Sequence, residues 1–97
     1  MDETLNKLNK AFENRIRLGI MSGLTGNDLM DFNALKGMLD VTDGNLASHL
    51  KGLEKLDYIQ TRKKFVGRKP NTSYFVTLKG KEAFENHLNA LKQLLKL

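Results

Sequence analysis

The hydrophobic period of this chain changes along its length, and the changes limit what it can fold into. Up to residue 56 the apolar side chains recur at three- and four-residue steps. From 58 to 76 the composition becomes strand-like around a cluster of turn formers, and from 78 the helical step returns. A face that repeats every 3.6 residues cannot be buried by a strand, and a face that repeats every two cannot be buried by a helix. The pattern therefore predicts helices, one hairpin and a closing helix, an α+β chain that is mainly α.

In the first helical stretch Leu5, Leu8, Phe12, Ile16 and Ile20 lie on one face, widened by Leu18 and Met21. It runs to about Ser22, where 23–27 supplies the expected break. Whether Glu13-Asn14 divides it stays open at this level. Asp31 is a suitable N-cap for a short helix from Phe32 to about Leu39, with Phe32, Leu35, Met38 and Leu39 inward. Asp40-Val41 makes a tight connection, and Thr42 caps a helix from Asp43 to about Leu56. Its apolar stripe is Leu46, Leu50 and Leu53, extended by Leu56. Two short helices a few residues apart, the second buried along one stripe, form a helix-turn-helix over about 31–56.

Tyr58 to Phe65 and Thr72 to Val76 read as strands, and 66–71 between them, with the chain's one proline, reads as their turn. Thr77 is placed to cap a last helix over about 78–96, where Phe84, Leu88, Leu91 and Leu95 step by four, three and four. Its apolar surface is wider than one hairpin covers, so another helix must pack on it, either the first of this chain or one from a second copy.

Composition narrows the class. Ninety-seven residues, 40% hydrophobic and 28% charged, suit one globular domain spanning 1–97. With no cysteine there is no disulfide, thiolate metal site or cysteine nucleophile. The short apolar runs and the acidic start Met1-Asp2-Glu3 point to neither a membrane span nor a signal peptide, so a cytoplasmic protein is expected. The net charge of +5 is unevenly spread. Residues 57–77 carry Arg62, Lys63, Lys64, Arg68 and Lys69 against Asp57 alone, and no further acid occurs before Glu82. A concentrated basic patch calls for a polyanion. No phosphate-cradling glycine loop, nucleophile elbow or metal-ligand spacing is present, so neither catalysis nor a cofactor is expected. His87, with Glu82 and Glu85 nearby, makes a poor zinc-type site.

Three stretches resemble a known family. They are Asn14-Arg15-Ile16-Arg17-Leu18; Asp31-Phe32-Asn33-Ala34-Leu35-Lys36 followed by Thr42-Asp43-Gly44-Asn45-Leu46-Ala47-Ser48-His49-Leu50; and Gly67-Arg68-Lys69-Pro70-Asn71-Thr72 with Thr77-Leu78-Lys79-Gly80. Together they resemble the prokaryotic winged helix-turn-helix transcriptional regulators of the MarR/ArsR-like type, and among them the small single-domain "winged helix DNA-binding domain" group. The likeness covers roughly 12–92 and departs at Asp57, where the family usually has a glycine in a left-handed turn. It implies a two-stranded basic wing over about 58–76 and a C-terminal helix. It also implies a homodimer on double-stranded DNA, with no membrane partner.

On a helical wheel the direction opposite Leu46, Leu50 and Leu53 holds Gly44, Ser48, Lys51 and Lys55, with Asn45 on the flank. A recognition helix reads base edges chiefly with its N-terminal residues. Thr42, Gly44, Asn45, Ser48, His49, Lys51 and Lys55 are therefore the expected contacts in the major groove. Asn45 suits adenine, Gly44 permits close backbone approach, and His49, roughly 60° off the buried centre, suits a phosphate or a half-buried anchor. Arg62, Lys63, Lys64, Arg68 and Lys69 are the expected wing contacts in the minor groove. Arg15 and Arg17 could touch phosphate or pair with acids of the chain. Leu5, Leu8, Phe84, Leu88, Leu91 and Leu95 are the expected dimer seam, through the first helix, the last or both. The rival reading is a winged helix that binds protein instead of DNA. No residue identifies an operator, an effector, or activation against repression.

Overall fold

The computed structural model describes residues 3–97. The first apolar stretch is three pieces rather than one helix: α1 (Glu3–Asn6), a 3-10 turn (Lys10–Phe12) and α2 (Arg15–Gly26). Two asparagines make the breaks. Asn9 Oδ1 accepts from the Ala11 N–H at 2.9 Å, and Asn14 Oδ1 accepts from the N–H groups of Ile16 and Arg17. Each satisfies donors that a starting helix leaves open, so each starts a new helix. At its other end α2 continues past Ser22 to Gly26, which corrects the expected break at 23. Gly23 is buried, and the space a side chain would fill there is taken by the thioethers of Met38 and Met30. Here glycine serves the close packing of two helices. Asn27 Nδ2 donates to the Gly23 carbonyl at 2.9 Å where α2 ends.

Asp31 caps α3 (Phe32–Leu39) through its Oδ1 and the Ala34 N–H at 2.8 Å, and Thr42 caps α4 (Asp43–Lys55) through the Asn45 N–H at 3.2 Å. Leu35, Leu46, Leu50 and Leu53 are buried as the stripe requires. Leu56 is exposed, because α4 ends at Lys55 and the chain turns away there. The turn runs through Asp57, whose φ of 63° lies in the left-handed region. Met38, expected inward, packs over Gly23 yet keeps 47% of its surface exposed.

The sheet is antiparallel, in the order β1-β3-β2, with β1 (Met30–Asp31), β2 (Ile59–Val66) and β3 (Lys69–Val76). β1 pairs only with Tyr74 and Ser73. Two residues carry no readable period, so this third strand is invisible in the sequence. The expected six-residue turn at the wing tip is a two-residue turn, Gly67-Arg68, closed by the pair Val66↔Lys69. Gly67 has φ 66° and Arg68 no positive φ, the requirement of a II′ hairpin turn. Pro70 is thus a strand residue. Its partner Phe65 is adjacent to the closing pair, so the missing N–H falls on the side away from β2, where β1 does not reach.

α5 (Leu78–Leu95) starts at Thr77, whose Oγ1 accepts from the Gly80 N–H at 2.9 Å and donates to the Asp57 carbonyl at 2.7 Å. Any side chain at Gly80 would strike the Tyr58 carbonyl, which itself accepts from the Thr77 N–H at 3.0 Å. The closing helix therefore approaches the end of the helix-turn-helix backbone to backbone. Phe12 fills the space between them, its ring tilted against Tyr58 and edge-on to Phe84 and His87, with centroids 5.4 Å apart in each case.

Candidate nucleic-acid interface

The geometry of the outer face of α4 follows from its buried stripe. With Leu46, Leu50 and Leu53 inward, Gly44, Asn45, Ala47, Ser48, Lys51 and Lys55 are all exposed. The Asn45 and Ser48 side chains make no hydrogen bond among the described residues, so their donors and acceptors are free for a ligand. Thr42 is exposed but its hydroxyl oxygen is engaged as the cap. Asp43 pairs with Lys36 at 2.7 Å across the turn, an exposed ion pair at the N-terminus of α4. No Cβ contact would arise at Gly44, so the chain's own packing does not require a glycine there.

His49 is half-buried on the side of α4 that meets α2. Its Nδ1 accepts from Arg17 Nε at 3.1 Å. Burial, and then the Arg17 charge, hold its pKa below the usual 6.5. With Nδ1 accepting, the ring proton sits on Nε2. The Arg17 guanidinium also occupies the space a side chain at Gly52 would take. Among the described residues Arg17 pairs with no acid, the second of the two roles its sequence position allowed, and it braces α4 from behind. Sequence reasoning missed this role. Its only signals were an arginine one helical step from the Asn14 cap and a glycine inside α4, three residues after a histidine.

Register decides how the wing presents its charge. Residues 59, 61, 63 and 65 of β2 share the face that carries buried Ile59 and Tyr74, while 60, 62, 64 and 66 share the other. Arg62, Lys64 and Lys69 therefore lie on one face of the hairpin, Lys63 on the opposite face, and Arg68 at the turn. All five are exposed, and none forms an ion pair among the described residues. At the wing's base Asn71 Nδ2 donates to Asp31 Oδ2 at 3.4 Å, while the other carboxylate oxygen of Asp31 caps α3. One side chain thus holds the hairpin against the helix-turn-helix.

The residues expected at a dimer seam divide. Phe84, only 6% exposed, lies in the chain's own core against Phe12, which removes it from any seam. Leu5, Leu88 and Leu95 are exposed, the last at 62%, and Leu8 and Leu91 are half-buried. α1 packs alongside α5. His87 points inward: its Nδ1 accepts from the Asn9 N–H at 2.9 Å, while Asn9 Nδ2 donates to the Tyr58 hydroxyl at 3.0 Å. Burial lowers its pKa, with Glu13 pulling weakly the other way. Among the described residues no group of histidine and carboxylate side chains could hold a metal, and no helix is long and apolar enough to cross a membrane.

A capped helix-turn-helix with a free polar outer face, joined to a hairpin carrying five unpaired basic residues, defines a DNA-binding domain. The chain belongs to the winged helix DNA-binding domain family, whose pattern matches residues 16–95. It is 38% identical over 87 residues to an uncharacterized protein of Methanocaldococcus jannaschii, covering 90% of this chain and 95% of that one. A transcriptional regulator homologue from Pyrococcus horikoshii superposes with a TM-score of 0.88 at 32% identity, over 98% of this chain and 96% of that one. Bacillus subtilis PadR, solved in complex with operator DNA, shares the fold alone. It superposes with a TM-score of 0.70 at 17% identity, over 77% of this chain and 47% of that chain. Family and fold point to a DNA-binding transcriptional regulator and not to an enzyme.

Proposed function

We propose that the chain is one sequence-specific domain that regulates transcription as a homodimer on double-stranded DNA. α4 enters the major groove and the β2–β3 wing lies in the flanking minor groove. The observation that carries this reading is the outer face of α4, where exposed Gly44, Asn45 and Ser48 form a small polar N-terminal end and exposed Lys51 and Lys55 form a basic C-terminal end. Asn45 offers the paired donor and acceptor that match adenine, Ser48 reaches either kind of base edge, and the lysines sit at backbone distance. Arg62, Lys64, Lys69 and Arg68 neutralise phosphates beside the minor groove, and His49 Nε2–H is a further phosphate donor. Leu88, Leu91 and Leu95, with Leu5 and Leu8, form the seam. PadR on its operator supports the docking mode by fold only.

The test is binding of labelled genomic duplexes, including the gene's own upstream region, across a salt series. A dimer that neutralises six to ten phosphates loses about 10³–10⁵ in affinity between 50 and 200 mM salt. Arg68→Ala/Lys69→Ala weakens all sequences alike, while Asn45→Ala/Ser48→Ala erases the preference among them. A flat salt response or no duplex binding at low salt sinks the reading, and leaves an acidic protein surface as the partner to look for.

A further inference from the structure

Phe65, near the tip of the wing, is 73% exposed, and its neighbour Val66 is 61% exposed. Nothing in the chain's packing asks for a phenylalanine there, since Phe65 lies outside the buried core and touches none of its aromatic clusters. Keeping a whole aromatic ring in water forgoes the burial that such a residue offers elsewhere. Its cross-strand partner is Pro70, and the pair is of the non-hydrogen-bonded kind, in which side chains come closest. Ring and pyrrolidine therefore make one compact apolar ridge on a single face of the hairpin. Lys63 stands two residues back on the same face, Arg68 sits at the turn beyond, and Lys64 and Lys69 project from the opposite face. β1 pairs with the hairpin only at Ser73 and Tyr74, and the Asp31 side chain reaches on to Asn71, so the last two pairs, Phe65↔Pro70 and Val66↔Lys69, lie beyond the third strand's pairing and beyond that bond.

A narrow apolar ridge enclosed by unpaired cations fits a polyanion that has an apolar interior. Duplex DNA is such a partner: phosphates line each minor groove, and the stacked base steps lie at its floor. From this we infer that Phe65, backed by Pro70, is a wedge that enters the minor groove, opens a base step and bends the duplex toward the major groove, while Lys63, Lys64, Arg68 and Lys69 hold the flanking phosphates. Minor-groove proteins that insert an apolar side chain in this way prefer flexible pyrimidine–purine steps, so the wedge adds sequence preference where no base edge is read. The inference rests on the DNA-binding reading above and assigns the wing a second role besides charge neutralisation.

The experiment uses a duplex selected by the wild-type chain from a random-sequence pool, labelled at its ends for distance measurement by energy transfer. A second version carries 2-aminopurine at the step under the wing located by footprinting. Wild type shortens the end-to-end distance and raises 2-aminopurine fluorescence. Phe65→Ala loses both signals and roughly tenfold in affinity. It keeps the wild-type thermal midpoint and the wild-type slope of log affinity against log salt, because no charge is removed. Phe65→Leu, which retains an apolar wedge, restores most of the bend. Arg68→Ala/Lys69→Ala shows the opposite separation, a salt slope lower by about two per wing with the fluorescence change retained. If wild type binds the duplex and Phe65→Ala bends it equally, the wedge is overturned and the DNA reading stands. If wild type binds no duplex at low salt, both fall.

Discussion

Arg17 Nε donates to His49 Nδ1 across 3.1 Å, and the same guanidinium lies over the bare Cα of Gly52 nearly one turn further along α4. One arginine on α2 thereby contacts α4 at two positions and sets the tautomer of a histidine on its flank. The glycine makes this possible, because a side chain there would meet the guanidinium.

This coupling can be measured by a double-mutant cycle in urea. Gly52→Ala alone gains up to about 1 kcal/mol of helix propensity. It also displaces the guanidinium and loses a charge-assisted bond of about 1–2 kcal/mol, so the net change is zero or destabilising. In an Arg17→Ala background the obstruction is gone, and Gly52→Ala stabilises by about 1 kcal/mol. Equal effects in both backgrounds would mean that the two residues do not act together.

Stability should fall on the acid side of neutrality, and the sign follows from two histidines. Burial lowers the pKa of both from 6.5; the Arg17 charge lowers His49 further, and Glu13 partly offsets the effect at His87. A lowered folded value means that the unfolded chain binds more protons in the interval between the two values. The stabilising contribution is therefore complete above about pH 6.5 and is lost as pH falls through the folded values. Physically, a protonated His87 can no longer accept from the Asn9 N–H, and a protonated His49 faces Arg17 with a like charge. His87→Gln should lower the urea midpoint at pH 7 and flatten its decline between pH 7 and 5. An unchanged slope would place the acid sensitivity in the carboxylates instead.

Gly44 separates stability from function. It is exposed in the first turn of α4, and no atom lies within 4 Å of where its Cβ would be. Alanine should therefore stabilise the chain by about 0.5–1 kcal/mol through helix propensity. In the proposed docking a methyl group there would also stand between the helix backbone and the groove floor. The thermal midpoint should rise while affinity for the selected duplex falls. If affinity is unchanged, Gly44 faces away from the DNA.

What the sequence disclosed and what it hid divide along a physical line. The caps Asp31, Thr42 and Thr77, the stripe Leu46–Leu50–Leu53 and the left-handed turn at Asp57 are local: neighbouring residues satisfy or bury them, and their spacing is legible. The basic wing was legible because five cations meet no nearby acid in the sequence. Hidden were the pairings that depend on distant chain. Gly23 reads as a helix breaker until Met38 is seen to fill its place, and His87, a poor metal site by sequence, has no role until Asn9, 78 residues away, donates to it. Arg17 and His49 are 32 residues apart with no shared period. At the candidate interface the exposure of the outer face of α4 and of the wing's basic residues followed from the pattern, while the bracing behind them did not.

The exposed leucines of α5 provide the last test. With Phe84 committed to the core, the remaining stripe is Leu88, Leu91 and Leu95 beside Leu5 and Leu8 of the first helical segment. An apolar stripe of this kind is covered at least cost by its own symmetry mate, since a two-fold axis brings the same surface to both sides. The wild-type chain should sediment at twice its 11.0 kDa mass at micromolar concentration. Leu88→Gln/Leu95→Gln should sediment as a monomer with unchanged helix content, because neither residue is buried in the isolated chain. Its DNA affinity should fall steeply, since two recognition helices about 34–36 Å apart no longer bind as one unit. A wild-type monomer, or a double variant that still dimerises, would move the seam away from α5. A monomer that binds a single half-site with full affinity would remove the need for two-fold symmetry altogether.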